Sequence, residues 1–534
     1  MSIWFGEGLL GRRFPTNNSN RESLTMYTVR VRGSVTRDPS MNRDVVLINP
    51  SYMYPSADRK LVGEPDDGIY SDALVMDLPS MEFLYPPVGL LSLAGALKRD
   101  GFTVEGIDSN TRKDSMMELA RQCEGAKVVG ITLLVANLRS VYQIVKYMKG
   151  RGYEVVVGGA YPSITPEVVA QLGLKYGISG EGEVAFTRLC RALIRGEGKP
   201  EDIPGIIINE DGELFTKPPV LLESLNDWLP DRDIMRSENY KLPFAGGLEV
   251  ALASRGCPYS CTFCYCSSAP KGSMFTTSRW VDVDVIVGDI KDTLRRYNPN
   301  YIEMLDETFT VSRKFVLAFC QAIKEEGLKF NWGAKTRMDL VDEEVLSAMK
   351  EAGCQKIGFG LESGVYDHRL AMRKDFSNDH AAWVFDTTRK LGLESGCTVI
   401  FGHPNETRAE MQQSVDFVID SSPDYVEFHV MVLIPKTKLF YDAVAEGKAT
   451  PDLFERFMRG EITYPEYAPG DITAKEMRAI HKSAIRQFYF RPSYVAQAVR
   501  RVKSADDLFQ YGKTAMSLLK MSDIKRPTWM LGRS

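Results

Sequence analysis

Twice along this chain, short apolar runs alternate with segments of helical period, and that double alternation limits the folds open to it more than any other feature. The first series opens with Val45, Val46, Leu47 and Ile48 and stops at Asn49-Pro50. A helix over Val88–Arg99 follows, then strands near Thr103–Ile107, Val128–Thr132, Glu154–Val157 and Lys175–Ile178, separated by helices such as Leu138–Lys149 and Glu183–Ile194. Strands joined by helical crossovers form parallel sheets, so residues 43–197 are expected to be an α/β domain, a Rossmann-like doubly wound sheet. The second series runs through Leu248–Ala253, Tyr301–Leu305, Phe330–Ala334, Lys356–Gly360, Cys397–Phe401 and Tyr425–Val432. Six such units over residues 247–438 predict a partial (β/α)6 TIM-like barrel whose chemistry sits at the strands' C-terminal ends. Proline punctuates residues 198–246, read as a linker with a small hairpin at Asp211-Gly212, while residues 1–42 read as a flexible extension and 439–534 as mainly helical.

One helix shows the local logic. Ser312 is placed to cap it, Phe315, Val316, Phe319 and Ile323 share one face, and Gly327 stops it. Cys320 lies on that apolar face and is therefore expected in the core.

At 534 residues the chain exceeds one hydrophobic core, and two or three domains are expected. Its charge of −4, with both signs interspersed, gives no nucleic-acid footprint and favours a small-molecule substrate. No apolar stretch reaches the roughly 18 residues of a membrane span, and the start lacks a secretory pattern, so a cytoplasmic location is expected. Nine cysteines are few for this length, yet three fall between 257 and 264. Clustering of that kind points to metal rather than to disulfides.

Those three stand in Arg255-Gly-Cys257-Pro-Tyr-Ser-Cys261-Thr-Phe-Cys264, directly after the first barrel strand. The CxxxCxxC spacing therefore lies on a loop at the barrel mouth, where a loop can wrap three thiolates around one iron–sulfur cluster. Three thiolates leave one iron of a 4Fe-4S cluster with open coordination. The competing assignment is a zinc site completed by Cys266.

The segment resembles the signature of the radical S-adenosylmethionine (SAM) superfamily, in which the residue before the third cysteine is aromatic, here Phe263. The resemblance implies a 4Fe-4S cluster on Cys257, Cys261 and Cys264, with SAM chelated to the open iron. Asp306-Glu307-Thr308 resembles the segment that contacts the SAM amino group, and Glu362-Ser363 matches the positions near its ribose and carboxylate. Phe401-Gly402-His403-Pro404 with Glu406-Thr407 resembles the adenine-side motif, whereas Pro435-Lys436-Thr437 departs from the usual Pro-Gly-Thr.

Ahead of the barrel, Asn49-Pro50, Tyr85-Pro86-Pro87-Val88-Gly89-Leu90, Gly158-Gly159 and Gly180-Glu181-Gly182-Glu183 resemble the cobalamin-binding domain of one large subgroup. Gly158 and Gly159 would let backbone approach a ligand closely, and Gly180 with Glu181 marks a tight turn into a helix. A domain of this fold that binds nothing is the alternative. The chain has no histidine before His368, so bound cobalamin is expected base-off, without an imidazole from this domain, over residues such as Leu133 and Asn137. Among the histidines, His403 and His429 lie nearest strand ends and are the better substrate-site candidates.

The subgroup resemblance implies reductive cleavage of SAM and transfer of a methyl group from cobalt to an unactivated carbon or a phosphinate phosphorus. It also implies an external electron donor such as flavodoxin or ferredoxin. Ring cyclisation using cobalamin without methyl transfer, as in the anaerobic chlorophyll-ring cyclases, and a non-catalytic cobalamin sensor are the other readings. A methylthiotransferase is disfavoured, because only Cys123 and Cys190 precede Cys257. Arg486–Tyr494 resembles an aromatic Phe-Tyr-x-Arg-Pro segment of the subgroup, and packing onto the barrel is its expected role. A secondary-metabolite, lipid or tetrapyrrole intermediate is the expected kind of substrate, which the sequence does not narrow further.

Overall fold

A computed structural model describes residues 43–51, 85–112, 114–235, 240–242, 246–462, 464–501 and 512. The extension expected over 1–42, and the tail beyond 501 apart from 512, lie outside the described residues. The first sheet is ordered β2-β1-β3-β4-β5-β6-β7. Its strands are β1 Arg43–Asn49, β2 Val104–Asp108, β3 Ala126–Thr132, β4 Glu154–Gly158, β5 Tyr176–Ile178, β6 Ile206–Glu210 and β7 Glu213–Thr216. The first five pair in parallel, as the alternation predicts. Because successive side chains leave a strand on opposite faces, Val46 and Ile48 enter one core while Val45 and Leu47 enter the other. Helices α1 Val88–Arg99, α2 Met116–Gln122, α3 Leu138–Met148, α4 Ala160–Ile164 and α5 Gly182–Cys190 cover those faces.

The linker expectation needs correcting. Strands β6 and β7 form the hairpin at Asp211-Gly212, but β6 pairs antiparallel on β5, so the hairpin extends the first sheet instead of bridging two domains. The physical reason is that Ile206, Ile207 and Ile208 supply an apolar run that the surrounding prolines masked, and all three are buried.

The second sheet runs β16-β15-β14-β13-β12-β9-β8. It contains β8 Lys241–Leu242, β9 Gly246–Ala251, β12 Tyr301–Met304, β13 Trp332–Thr336, β14 Cys354–Glu362, β15 Glu394–Phe401 and β16 Tyr425–Val430, with a small hairpin of β10 Ser254–Arg255 and β11 Arg279–Trp280 on the loop after β9. Strands β9 and β12 to β16 are parallel and make an open, partial barrel. Helices α6 Val283–Tyr297, α7 Arg313–Glu325, α8 Glu343–Glu351, α9 Asn378–Leu391 and α10 Arg408–Ser421 lie between its strands in sequence. On α7, Ser312 accepts the Phe315 N–H, and Val316, Phe319, Cys320 and Ile323 are buried with Trp332. Cutting Phe319 to alanine there would cost about 3–5 kcal/mol.

The described residues after 438 do not form a region of their own. Helices α11 Lys438–Ala445 and α12 Leu453–Arg459 pack into the first domain's core beside α3, whereas α13 Ala474–Tyr489 covers β16. Tyr489 and Tyr494 hydrogen-bond the backbone of Val426 and Asp424, so the aromatic C-terminal segment packs on the barrel. No helix among the described residues is long and apolar enough to cross a membrane.

Candidate active site

The barrel interior departs from the bulky aliphatic filling usual for parallel barrels. Gly333, Gly358 and Gly396 leave room for the side chains of Tyr301, Lys335 and Tyr425; a Cβ on Gly396 would lie 2.0 Å from the Tyr425 ring. Above these, Lys335 and Glu427 face a cavity of about 280 Å³ that the cysteine loop closes. Cys257, Cys261 and Cys264 line that cavity together with Phe263, Glu307, Thr308 and Glu362.

The cysteine loop is braced from several sides. The Cys257 N–H donates to Phe275 O, Thr262 O accepts the Leu439 N–H, and Arg373 Nη1 donates to Ser260 Oγ at 2.8 Å. Among the described residues no three His, Cys, Asp or Glu side chains converge as the ligands of one ion would. Three thiolates on one loop are the donor set of a cluster with one open iron, whereas a structural zinc would need Cys266 as a fourth ligand. The short turn Tyr265–Ser268 brings Cys266 to the same cavity, beside Cys264.

The expected SAM-side residues divide. Glu307 and Thr308 line the cavity, with the Glu307 side chain open to it. Asp306 does not line it. It turns toward the end of β9, accepting from Ser254 Oγ and from the Ala253 N–H, and burial raises its carboxyl to about 7. Glu362 reaches the cavity at a left-handed φ of 67°, a conformation costing about 1–2 kcal/mol, held by Lys374 Nζ and by Thr398 Oγ1 at 2.8 Å. Ser363 points away, toward Ser414 and the Val365 N–H. Gly402, at φ 101°, and Pro404 shape a turn in which Glu406 accepts the Gly402 and His403 N–H groups. Neither lines the cavity.

Of the two histidines favoured from the sequence, His403 is buried under the strand ends, stacked on His368, and burial drops it to about 4. It does not line the cavity. His429 Nε2 lies 3.7 Å from Glu427 on the inner face of β16. Burial works against the Glu427 charge, yet the neighbouring His429, Lys335 and Lys356 hold its carboxyl at about 2. Lys436 takes φ 62°, the left-handed conformation the usual glycine would supply, and Thr437 caps α11, so the departure from Pro-Gly-Thr leaves that turn intact.

Lys335, Arg337, Lys374, Thr398, Tyr425 and Glu427 also line the cavity and escaped the sequence reading. Reading β12 to β16 at a period of two would have found Lys335, Thr398 and Glu427, because a polar residue at every second position marks an interior that is not apolar. Lys374, on a loop, has no such mark.

In the first domain, Leu133, Asn137, Gly158, Gly159 and Gly180 gather at the C-terminal ends of β3, β4 and β5. Asn137 fixes that edge by accepting the Leu134 N–H and donating to Thr132 O. At φ 106°, a Cβ on Gly159 would crowd Leu133 O at 3.1 Å. The edge is thus bare backbone, a shape that a large planar ligand can approach, and neutral glycine and amide groups suit a corrin better than they suit an ionic ligand. Glu181 stands apart from it. Both its oxygens are taken, by Arg255, Arg279 and the Leu222 N–H, and Glu183 pairs with Arg255 as well. The Gly180–Glu183 motif therefore clamps the first domain to the cysteine loop's own hairpin.

The two edges meet. Helix α4, which starts directly after Gly159, packs Ile164 and Ala160 against Cys257, Cys264, Cys266 and Phe275.

Residues 252–418 match the radical SAM superfamily and residues 78–190 the B12 binding domain. An uncharacterized methyltransferase of Pyrococcus horikoshii is 27% identical over 427 residues, covering 78% of this chain and 90% of its own. The anaerobic magnesium-protoporphyrin IX monomethyl ester cyclase of Rubrivivax gelatinosus is 23% identical, covering 67% of this chain and 66% of the cyclase. Among solved structures, the radical SAM methyltransferase TsrM of Kitasatospora setae, with cobalamin and a 4Fe-4S cluster bound, superposes with a TM-score of 0.64 at 16% identity, over 90% of this chain and 99% of that one.

Proposed function

The chain belongs to the radical SAM superfamily, with a B12-binding domain ahead of its barrel, and from that premise we propose that it is a cobalamin-dependent methyltransferase. Cys257, Cys261 and Cys264 would hold the 4Fe-4S cluster, and the glycine edge of β3 to β5 would seat the corrin. Bound there, the cluster supplies the electron that cleaves SAM, and the cobalt carries the methyl group. The observation that supports this reading is the packing of α4, the helix that follows Gly159, on the cysteine loop.

The protein's own groups divide the remaining work. Glu307 offers a carboxylate to the SAM ammonium, while Lys374, already fixed by Glu362 and Gly360 O, offers a cation to its carboxylate. Lys335, Glu427 and Tyr425 line the same cavity, where they can orient polar groups of the acceptor. A charged floor favours an acceptor with ionic or hydrogen-bonding groups over a pure hydrocarbon. Phe263 and Tyr259 shield the reacting space from water.

The Pyrococcus relative supports methyl transfer, and the cyclase relative keeps a second reading open. The test is anaerobic reconstitution with iron, sulfide and hydroxocobalamin, followed by SAM and reductant. Both 5′-deoxyadenosine and S-adenosylhomocysteine are expected. Deoxyadenosine alone, with cobalamin bound, would favour the cyclase reading.

A further inference from the structure

Each cysteine thiol has a different neighbour. Cys257 Sγ lies 3.5 Å from Thr308 Oγ1, whose own proton goes to Glu307 O, and Cys264 lies beside Cys266. Cys261 faces a cation: Arg337 Nη1 donates to its Sγ at 3.5 Å.

Arg337 is built to hold that direction. It leaves the end of β13 and is 6% exposed. Asp339 takes its Nε and Nη2 protons in a two-pronged pair at 2.9 and 2.7 Å, which fixes the guanidinium plane. Its face stacks on Tyr259, 4.1 Å from the ring centroid, and Tyr259 belongs to the cysteine loop itself. With two prongs committed and one face covered, the remaining Nη1 is aimed at sulfur. Asp339 and Tyr259 together offset the cost of burying the guanidinium and fix its angle.

We infer that Arg337 is a positioning residue that sets the reduction potential of the cluster, through a hydrogen bond to Cys261 whose angle Asp339 and Tyr259 fix. The inference rests on the proposed cluster. Reduction adds negative charge to the thiolate-bound irons, and a cationic donor on one sulfur stabilises the reduced form more than the oxidised form. An arginine here therefore makes the electron for SAM cleavage easier to load. A lysine would not substitute, because a rotating ammonium satisfied by Asp339 has no rigid second prong to aim at sulfur.

The experiment is a redox titration of the reconstituted holoprotein, following the S = 1/2 signal of the reduced cluster by electron paramagnetic resonance, for wild type, Arg337→Met and Arg337→Lys. Iron and sulfide content are measured on the same samples. Both variants should keep the cluster. The ratio of reduced to oxidised cluster at a fixed potential should fall about tenfold in Arg337→Met, a downward shift of about 59 mV for a one-electron couple. A smaller fall in the same direction is expected for Arg337→Lys. An unchanged midpoint in either cluster-bearing variant would overturn the inference. If Arg337→Met loses the cluster, the lysine variant decides alone, and loss of the cluster from both would also overturn it, by making the residue structural. A wild-type protein that takes up no cluster would instead defeat the proposed function.

Discussion

The C-terminal strand ends of the two sheets are built in opposite chemical styles. The barrel end is crowded with charge: Lys335, Arg337, Lys374, Glu362 and Glu427 all line the cavity. The first domain's end, at Leu133, Asn137, Gly158, Gly159 and Gly180, is neutral and mostly backbone. A small zwitterion such as SAM must be held by opposite charges at fixed angles, whereas a broad planar macrocycle needs a surface it can approach without collision. On this account the contrast reflects two ligands of different shape and charge, held by folds that both place binding sites at strand ends.

The sharpest way to break the contrast is to remove one side's chemistry and watch the other. Changing Cys257, Cys261 or Cys264 to alanine should abolish both cluster iron and 5′-deoxyadenosine while cobalamin uptake, measured by absorbance, persists. Cys266→Ala should keep its iron; loss would make Cys266 a ligand despite its place outside the CxxxCxxC triad. The reciprocal change is Gly159→Ala, which puts a Cβ at a positive φ and 3.1 Å from Leu133 O. Cobalamin affinity should drop by about tenfold, the equivalent of ~1.4 kcal/mol of strain, with iron content unchanged.

The clamp between the two regions comes next. Removing Glu181 strands Arg279 and half of the Arg255 pairing in a buried place, so Glu181→Ala should cost about 3–5 kcal/mol in urea unfolding. Burial opposes the Glu181 charge, but the hydrogen bond from Arg279 and the charge of Arg255 outweigh it and hold the carboxyl below its ordinary 4.5. Its share of stability is then full above pH 4.5 and is lost as pH falls through the lower folded value, so the acid limb of a stability–pH curve should flatten in Glu181→Gln. The smallest effect belongs to a change remote from both edges. Thr473 caps α13 by accepting the Glu476 N–H, and Thr473→Ala should cost about 1 kcal/mol with both cofactors retained at wild-type levels.

The same contrast explains what could be read from the sequence. The alternation of apolar runs and helical segments sufficed for both sheets, because hydrophobic period is a local property. The cysteine loop was legible because thiols at that spacing have few other uses. Glu307, Thr308 and Glu362 reached the cavity, but Asp306 and Ser363, adjacent to them, face away. A motif names a strand end, and only the backbone's exit angle decides which neighbour turns inward. Glu181 was misplaced as a cofactor contact since its partners, Arg255 and Arg279, lie more than seventy residues away in sequence. The hairpin of β6 and β7 was legible at Asp211-Gly212, but its place in the first sheet was hidden among prolines; Lys335 and Glu427 are marked by the period of two along their strands, whereas Lys374, on a loop, carries no such mark.

The central claim is that the glycine edge and the cysteine loop serve one shared space. It is tested most directly by electron paramagnetic resonance of the protein loaded with both cofactors, poised so that the reduced cluster and cob(II)alamin coexist. Magnetic coupling between the two spins, together with a cobalt spectrum lacking imidazole nitrogen, is the predicted result. Two uncoupled signals, or a cobalt ligated by histidine, would contradict it.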